Sequence, residues 1–74
     1  MTPKQIYSSD PDVMNGALVF AGTRVPVESL VQHLAAGDTL DLFLEDFPSV
    51  SREQAVAFLE MALKEAEAGL ARAA

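Results

Sequence analysis

The chain has 74 residues, no cysteine and a single histidine, His33, so neither a disulfide nor a histidine–cysteine zinc site can stabilise it. Residues 1–74 are expected to form one domain, and a domain of this size buries only about 60% of the surface that its unfolded chain exposes. Eleven acidic residues against five basic ones give a formal net charge of −6. That charge disfavours polyphosphate and anionic lipid as partners and favours a basic one.

The composition also predicts self-association. Half of the residues are apolar and the mean hydropathy is +0.19, which is more apolar side chain than a lone three-helix unit can cover. We therefore expect at least a homodimer. Four apolar residues lie off the helical stripes or outside the helices and are assigned to a dimer or partner surface: Leu18, Phe20, Leu42 and Met61.

The compartment is predicted from absences in the sequence. The N-terminal segment "MTPKQIYSSDPD" lacks the apolar run of a signal peptide, and no segment is long enough to span a bilayer. The absence of cysteine fits a reducing environment. We expect a cytoplasmic protein with no membrane contact.

Residues 1–25 have the texture of a β ribbon with turns. The expected extended segments are 18–20 and 23–25, with a further short strand at 6–7. Ala21-Gly22 predicts the turn between the first two. Asn15-Gly16 is a competing hairpin turn, which leaves the register open.

After Val25 the apolar period changes from two to about three and a half, which predicts helices. Pro26 suits a first helical turn and Gly37 a left-handed stop. The first helix carries the stripe Val27, Leu30, Val31, Leu34 and Ala35. The second, short helix carries Leu40, Phe43, Leu44 and Phe47, with Thr39 or Asp38 as N-cap and Pro48 past its end.

A third helix is predicted from a capping box. Ser51-Arg52-Glu53-Gln54 has the required spacing, and Val50 stands before it. The apolar face that follows consists of Ala55, Phe58, Leu59, Ala62, Leu63 and Ala66. The helix is expected to fray near Gly69, leaving residues 69–74 as a flexible tail. The predicted fold class is mainly α, with the ribbon of residues 1–25 followed by a three-helix helix-turn-helix unit over residues 26–68.

Three features of this pattern resemble the bacterial and archaeal domain-of-unknown-function family 433. They are the segment "GTRVPV" at 22–27, the lone Gly37, and "LEDFP" at 44–48, followed by the apolar third helix. The resemblance covers residues 15 to about 62 and implies a β ribbon with a homeodomain-like or winged helix-turn-helix unit, usually dimeric. Leu18, Leu40 and Leu42 depart from residues that the family often has at those positions.

The resemblance further implies an antitoxin-like role, because such proteins are often encoded beside small ribonuclease-like toxins of the PIN-related class. We therefore expect a module of a type II toxin–antitoxin pair that binds and neutralises its cognate toxin. An acidic partner associates quickly with a basic nuclease. The acidic candidates are Asp10, Asp12, Glu45, Asp46, Glu53, Glu60, Glu65 and Glu67.

Two alternatives stay open at this point. The first is an autoregulator that binds duplex operator DNA, with contacts drawn from Arg24, Arg52, Gln54 and Lys64. Five basic residues per chain supply few of the phosphate contacts that such binding needs. The second is a structural interaction domain with neither role. Arg24 itself could contact a partner, or pin the ribbon to the helices by pairing with Asp46 or Glu28.

Catalysis is not expected from this sequence. His33 has no second histidine or cysteine as a co-ligand and is interpreted as a helix-surface residue. Asp10 and Asp12 flank Pro11 and are interpreted as turn formers. We expect no enzymatic activity, cofactor, metal or small-molecule substrate.

Overall fold

The helical part of the chain begins after Val25, as the change of period predicts. The computed structural model describes residues 1–73, with side chains described for residues 1–70. The helices are α1 (Pro3–Ile6), α2 (Val27–Ala35), α3 (Leu40–Asp46) and α4 (Arg52–Ala73), and the strands are β1 (Tyr7–Ser8) and β2 (Val19–Phe20). A mainly helical chain with a short N-terminal ribbon is thus confirmed. No helix within residues 1–73 combines the length and the apolar character that crossing a membrane requires.

The ribbon pairs β1 with β2 in antiparallel register, with Tyr7 opposite Phe20. On the other side of β2, the Phe20 amide donates to the Val25 carbonyl at 2.9 Å across the turn at Gly22, whose φ of +76° suits glycine. The short strand expected at 6–7 is found one residue later, at Tyr7–Ser8, because Ile6 ends α1. The segment expected at 23–25 lies along the other edge of β2, where Val25 and Pro26 pair with it. Asn15-Gly16 does not form the tight turn of the hairpin; it belongs to a short 3-10 turn, Met14–Gly16, within the longer β1–β2 connection.

Helix α1 was not expected from the sequence. Its signal is local: Pro3 begins it, and the Gln5 side chain accepts a hydrogen bond from the Thr2 amide at 2.8 Å. Four residues carry too little periodicity to reveal a helix. Ile6, at its end, is buried and joins the ribbon to the helical layer.

The ends of the longer helices follow the predicted signals. Gly37 adopts a φ of +94° directly after the last turn of α2. The Thr39 hydroxyl oxygen accepts from the Leu42 amide at 3.1 Å, which identifies Thr39 as the N-cap of α3. Ser51 and Gln54 exchange side-chain and backbone hydrogen bonds at the start of α4, as a capping box requires.

The core lies between β2 and the three longer helices, around two fully buried phenylalanines. The Phe20 ring lies 6.2 Å from that of Phe43 and 5.9 Å from that of Phe58. Leu30 and Ala55 are fully buried beside them. The sequence predicted Phe20 on an association surface; at 0% exposure it lies instead at the centre of the core. Because β2 is flanked on both edges and covered by helices, both of its residues are buried.

Two predicted apolar stripes are only partly covered. Val31 is 49% exposed because the buried side of α2 is centred on Val27 and Leu30, and Val31 lies at its margin. Within residues 52–70 of α4 the last fully buried residue is Ala55, and further along the predicted stripe Leu63 is 61% exposed and Leu70 74%. The helix also continues through Gly69 to Ala73, past the point where fraying was expected, and Ala74 lies outside the described residues.

Candidate partner-binding face on the last helix

The first turns of α4 present a continuous outer face beside the N-terminal residue. Met1 and the α4 side chains enclose an open groove of about 510 Å³. The helix residues that line it are Arg52, Glu53, Val56, Ala57 and Glu60. The spacing of 53, 56, 57 and 60 places these four on one side of the helix, opposite the side that carries buried Ala55. The groove therefore has an apolar floor between two carboxylates.

The charge of this groove is negative. Arg52, at one end, pairs with Asp41 of α3, so its cation is already balanced within the domain. Glu53 and Glu60 are exposed and take part in no ion pair among residues 1–70. A face with an apolar floor and carboxylates outside any ion pair suits a partner that is apolar at its centre and basic at its edge.

The structure contradicts the prediction that Gln54 is exposed for a DNA or partner contact. Gln54 is 6% exposed, and its amide nitrogen donates to the carbonyls of Gln5 and Ile6, both at 3.3 Å, and of Ala21 at 2.9 Å. Its side chain points inward beside buried Ala55, toward carbonyls of α1 and the β2 turn. Gln54 thus ties the N-terminal segment and the turn to α4.

Arg24 lies at the turn after β2 and is exposed. It lines a cleft of about 380 Å³ together with Ser8, Asp10, Val13, Val19, Gly22 and Thr23. Within residues 1–70 it pairs with neither Glu28 nor Asp46, so the suggested ionic pin is not formed. The corner is held by Thr23 instead: its hydroxyl donates to the Phe20 carbonyl at 2.8 Å and accepts from the Val25 amide at 3.0 Å. A threonine directly after a turn glycine is the signal that could have identified it.

Lys64 and Met61 lie further along α4, on a second shallow groove of about 260 Å³. Lys64 is exposed and Met61 is half-buried between α4 and the N-terminal residues. Lys64 stands one turn from Glu60, so the cation has a carboxylate as its helical neighbour. The two α4 cations predicted as DNA or partner contacts, Arg52 and Lys64, are therefore separated along the helix by the acidic residues Glu53 and Glu60.

The remaining predicted surface residues divide by burial. Leu18 and Leu42 are each 40% exposed and remain available for association. The eight acidic candidates are all exposed. Asp10 accepts from the Asp12 amide at 2.8 Å, as a turn former does.

His33 is only partly the surface residue that the sequence suggested, since its side chain is 25% exposed. Its ring packs edge-on against Phe43 and Phe47, with centroids 5.5 and 5.6 Å away. Its Nδ1 lies 3.1 Å from an Asp38 carboxylate oxygen, close enough for an ion pair but without the alignment of a hydrogen bond. The His33 ring thus closes the end of the core between α2 and α3.

Two parts of the face were not identified from the sequence. Met1 contributes to both grooves on α4 because α1 packs against that helix and brings the N-terminal residue alongside it. Val56 lies on the groove floor and is half-buried. No local sequence pattern predicts a contact between residue 1 and residues more than fifty positions later in the chain.

Comparison with known proteins identifies the family. The family model described as "Protein of unknown function (DUF433)" matches residues 8–62, and the chain belongs to that family. The chain is also similar to the uncharacterized protein y4eO of Sinorhizobium fredii (strain NBRC 101917 / NGR234), with 39% identity over 51 residues that make up 69% of this chain. Those residues span 23% of that protein's length. No solved structure matches the chain.

Proposed function

We propose that this protein is an antitoxin-like binding module that occupies and neutralises a cognate ribonuclease-type toxin of a type II pair. The observation that carries the proposal is the outer face of α4, where Glu53 and Glu60 flank an apolar floor and Arg52 is paired with Asp41. A nuclease that grips RNA presents positive charge around its substrate groove. An acidic face with an apolar centre complements such a surface and speeds association with it.

The second candidate, binding of operator DNA, has one observation in its favour. Arg24 presents an exposed guanidinium that is free of ion pairs within residues 1–70, and such a group can bind phosphate or a guanine edge. The helix that would enter the major groove in a helix-turn-helix domain, α4, argues against DNA binding. The start of α4 would bring Glu53 and Glu60 toward the phosphates, and Gln54 is engaged inside the domain.

Co-expression with the product of the neighbouring gene tests the first proposal. We expect the two proteins to co-purify and this chain to relieve the growth defect that the neighbour causes. Exchange of both groove carboxylates, Glu53→Lys with Glu60→Lys, is expected to weaken the complex by about tenfold or more, chiefly through slower association. The matched control, Glu45→Lys with Glu65→Lys, changes the net charge equally outside the groove and is expected to bind nearly as the parent does.

Two results would reject the antitoxin role. In one, the proteins neither co-purify nor offset each other's effect on growth. In the other, the chain binds its own upstream duplex tightly, loses that binding as salt is raised, and needs Arg24 and Lys64 for it, which supports the autoregulator instead.

A further inference from the structure

The apolar stripe of α4 continues beyond the core of the domain. Its members alternate in steps of three and four residues: Val56, Leu59, Leu63, Ala66 and Leu70. This is the a/d spacing of a helix that pairs along its length with another helix. Leu59 is half-buried against the core, whereas Leu63, Ala66 and Leu70 are exposed. The stripe therefore has apolar side chains ready for a partner over at least its last three members.

The residues that flank the stripe define what the partner must carry. With Leu63 at position a, the e positions are Glu60 and Glu67, and the g positions are Ala62 and Gly69. Both glutamates are exposed and form no ion pair within residues 1–70. One flank is thus acidic, and the other is small enough to allow close approach of a second helix.

A second copy of this chain does not satisfy these flanks. In an antiparallel pair the e positions of the two helices face each other, so Glu60 and Glu67 would meet the same glutamates of the other copy. In a parallel pair Glu67 would face Ala62 and Glu60 would face Ala55, and neither alanine offers a cation. Charges at e and g select the partner and orientation of paired helices, and here they select against self-pairing.

We infer that residues 56–70 of α4 form a docking seam for an amphipathic helix of another protein, with aliphatic a/d side chains flanked by Lys or Arg. This inference deepens the proposed function and rests on it for the identity of the partner, since it specifies the element by which a basic toxin would be held. The seam adjoins the groove that Glu53 and Glu60 line, so the partner's basic edge would contact both the seam and the groove.

Two synthetic three-heptad peptides test the seam with the full-length protein. Both carry Leu at a and d; one carries Lys at e and g, and the other Glu. Titration calorimetry is expected to show that the Lys peptide binds at least about tenfold more tightly than the Glu peptide. The double variant Leu63→Asp with Leu70→Asp is expected to lose that binding. Met14→Asp is the control, because Met14 is an exposed apolar residue outside α4.

Charge reversal sharpens the test. Glu60→Lys with Glu67→Lys is expected to invert the preference, so that the Glu peptide binds more tightly. Both altered positions are exposed, and circular dichroism should show an unchanged helical content. Equal binding of the two peptides by the parent protein, or a preference that charge reversal leaves unchanged, would overturn the inference.

Two further outcomes separate the seam from the proposed function. If the Leu63→Asp, Leu70→Asp variant still neutralises the neighbouring toxin at full strength, the antitoxin role stands and the seam falls. If the Lys peptide binds through the seam while the neighbouring gene product does not bind at all, the seam stands and the antitoxin role falls. Self-association that this double variant abolishes would identify a second copy as the occupant and reject the seam.

Discussion

At the scale of single residues, Gln54 shows how one side chain can hold distant segments together. It is the only buried polar or charged residue within residues 1–70, and its amide reaches carbonyls of both α1 and the β2 turn. The sequence predicted its position in the capping box of α4, and the structure confirms that cap. Its second role was not readable, because the carbonyls it serves lie 33 to 49 residues away along the chain.

Removing this amide should destabilise the domain markedly. We expect Gln54→Ala to lower the free energy of unfolding by about 2 kcal/mol, because it removes the side-chain donor that three buried or part-buried carbonyls share. For a domain of this size that corresponds to a fall in Tm of about 10 °C. Gln32→Ala is the control: its amide donates to Glu28 on the helix surface, so we expect about 0.5 kcal/mol or less. Equal effects in thermal unfolding would contradict the assignment.

Two glycines should respond to alanine with opposite signs. Gly37 has a φ of +94°, which an alanine adopts only with strain, so Gly37→Ala is expected to cost about 1 kcal/mol. Gly69 lies inside α4, and no described atom lies within 4 Å of an added Cβ, so Gly69→Ala is expected to stabilise by up to about 1 kcal/mol. Urea unfolding of both variants measures the difference. A stabilised Gly37→Ala protein would disprove the left-handed stop.

At the scale of elements, the local signals were sufficient for the three longer helices. Thr39, Ser51 and Gly37 act at the helix ends where the sequence placed them, because caps and stops are decided by a few neighbouring residues. The periodicity also identified the apolar side of each helix. It did not reveal how far that side is covered, as Val31 and Leu63 show, because coverage depends on the reach of other elements.

The cap of α4 gives a test at this scale. Ser51→Ala removes the hydroxyl that accepts from the Gln54 backbone N–H, and it is expected to lower the free energy of unfolding by about 1 kcal/mol. Ser49→Ala, two residues earlier in the exposed connection, is expected to change stability by less than about 0.5 kcal/mol. Chemical unfolding monitored by circular dichroism distinguishes them. The same loss in both variants would mean that the connection as a whole, and not the cap, is being measured.

At the scale of the whole molecule, α4 is longer than the rest of the fold can cover. Its 22 residues extend for about 33 Å, in a molecule whose greatest dimension is 39 Å. Burial of Phe20 removes one of the four residues expected on the dimer surface, while Leu18 and Leu42 stay exposed.

For the candidate site, the sequence predicted the acidic charge and the helix that carries it. It did not predict the groove, since Met1 reaches α4 only through the packing of α1.

Homodimerisation stays a prediction, with exposed Leu18 and Leu42 and half-buried Met61 as its remaining candidate contacts. Light scattering at tens of micromolar, where weak dimers assemble, should report a dimer. Leu42→Glu is expected to weaken it by about tenfold or more, because a charge in an apolar contact is costly. Leu63→Asp with Leu70→Asp is expected to leave it intact. A strict monomer at these concentrations would contradict the prediction.

The two ends of the Gln54 carboxamide have a joint consequence. Its oxygen accepts from the Ser51 amide while its nitrogen holds the carbonyls of Gln5, Ile6 and Ala21. Detachment of the first turn of the chain thus also loosens the beginning of the last helix. In hydrogen–deuterium exchange, the amides of α1, of the turn after β2 and of Ser51 should lose protection together, as one cooperative opening unit.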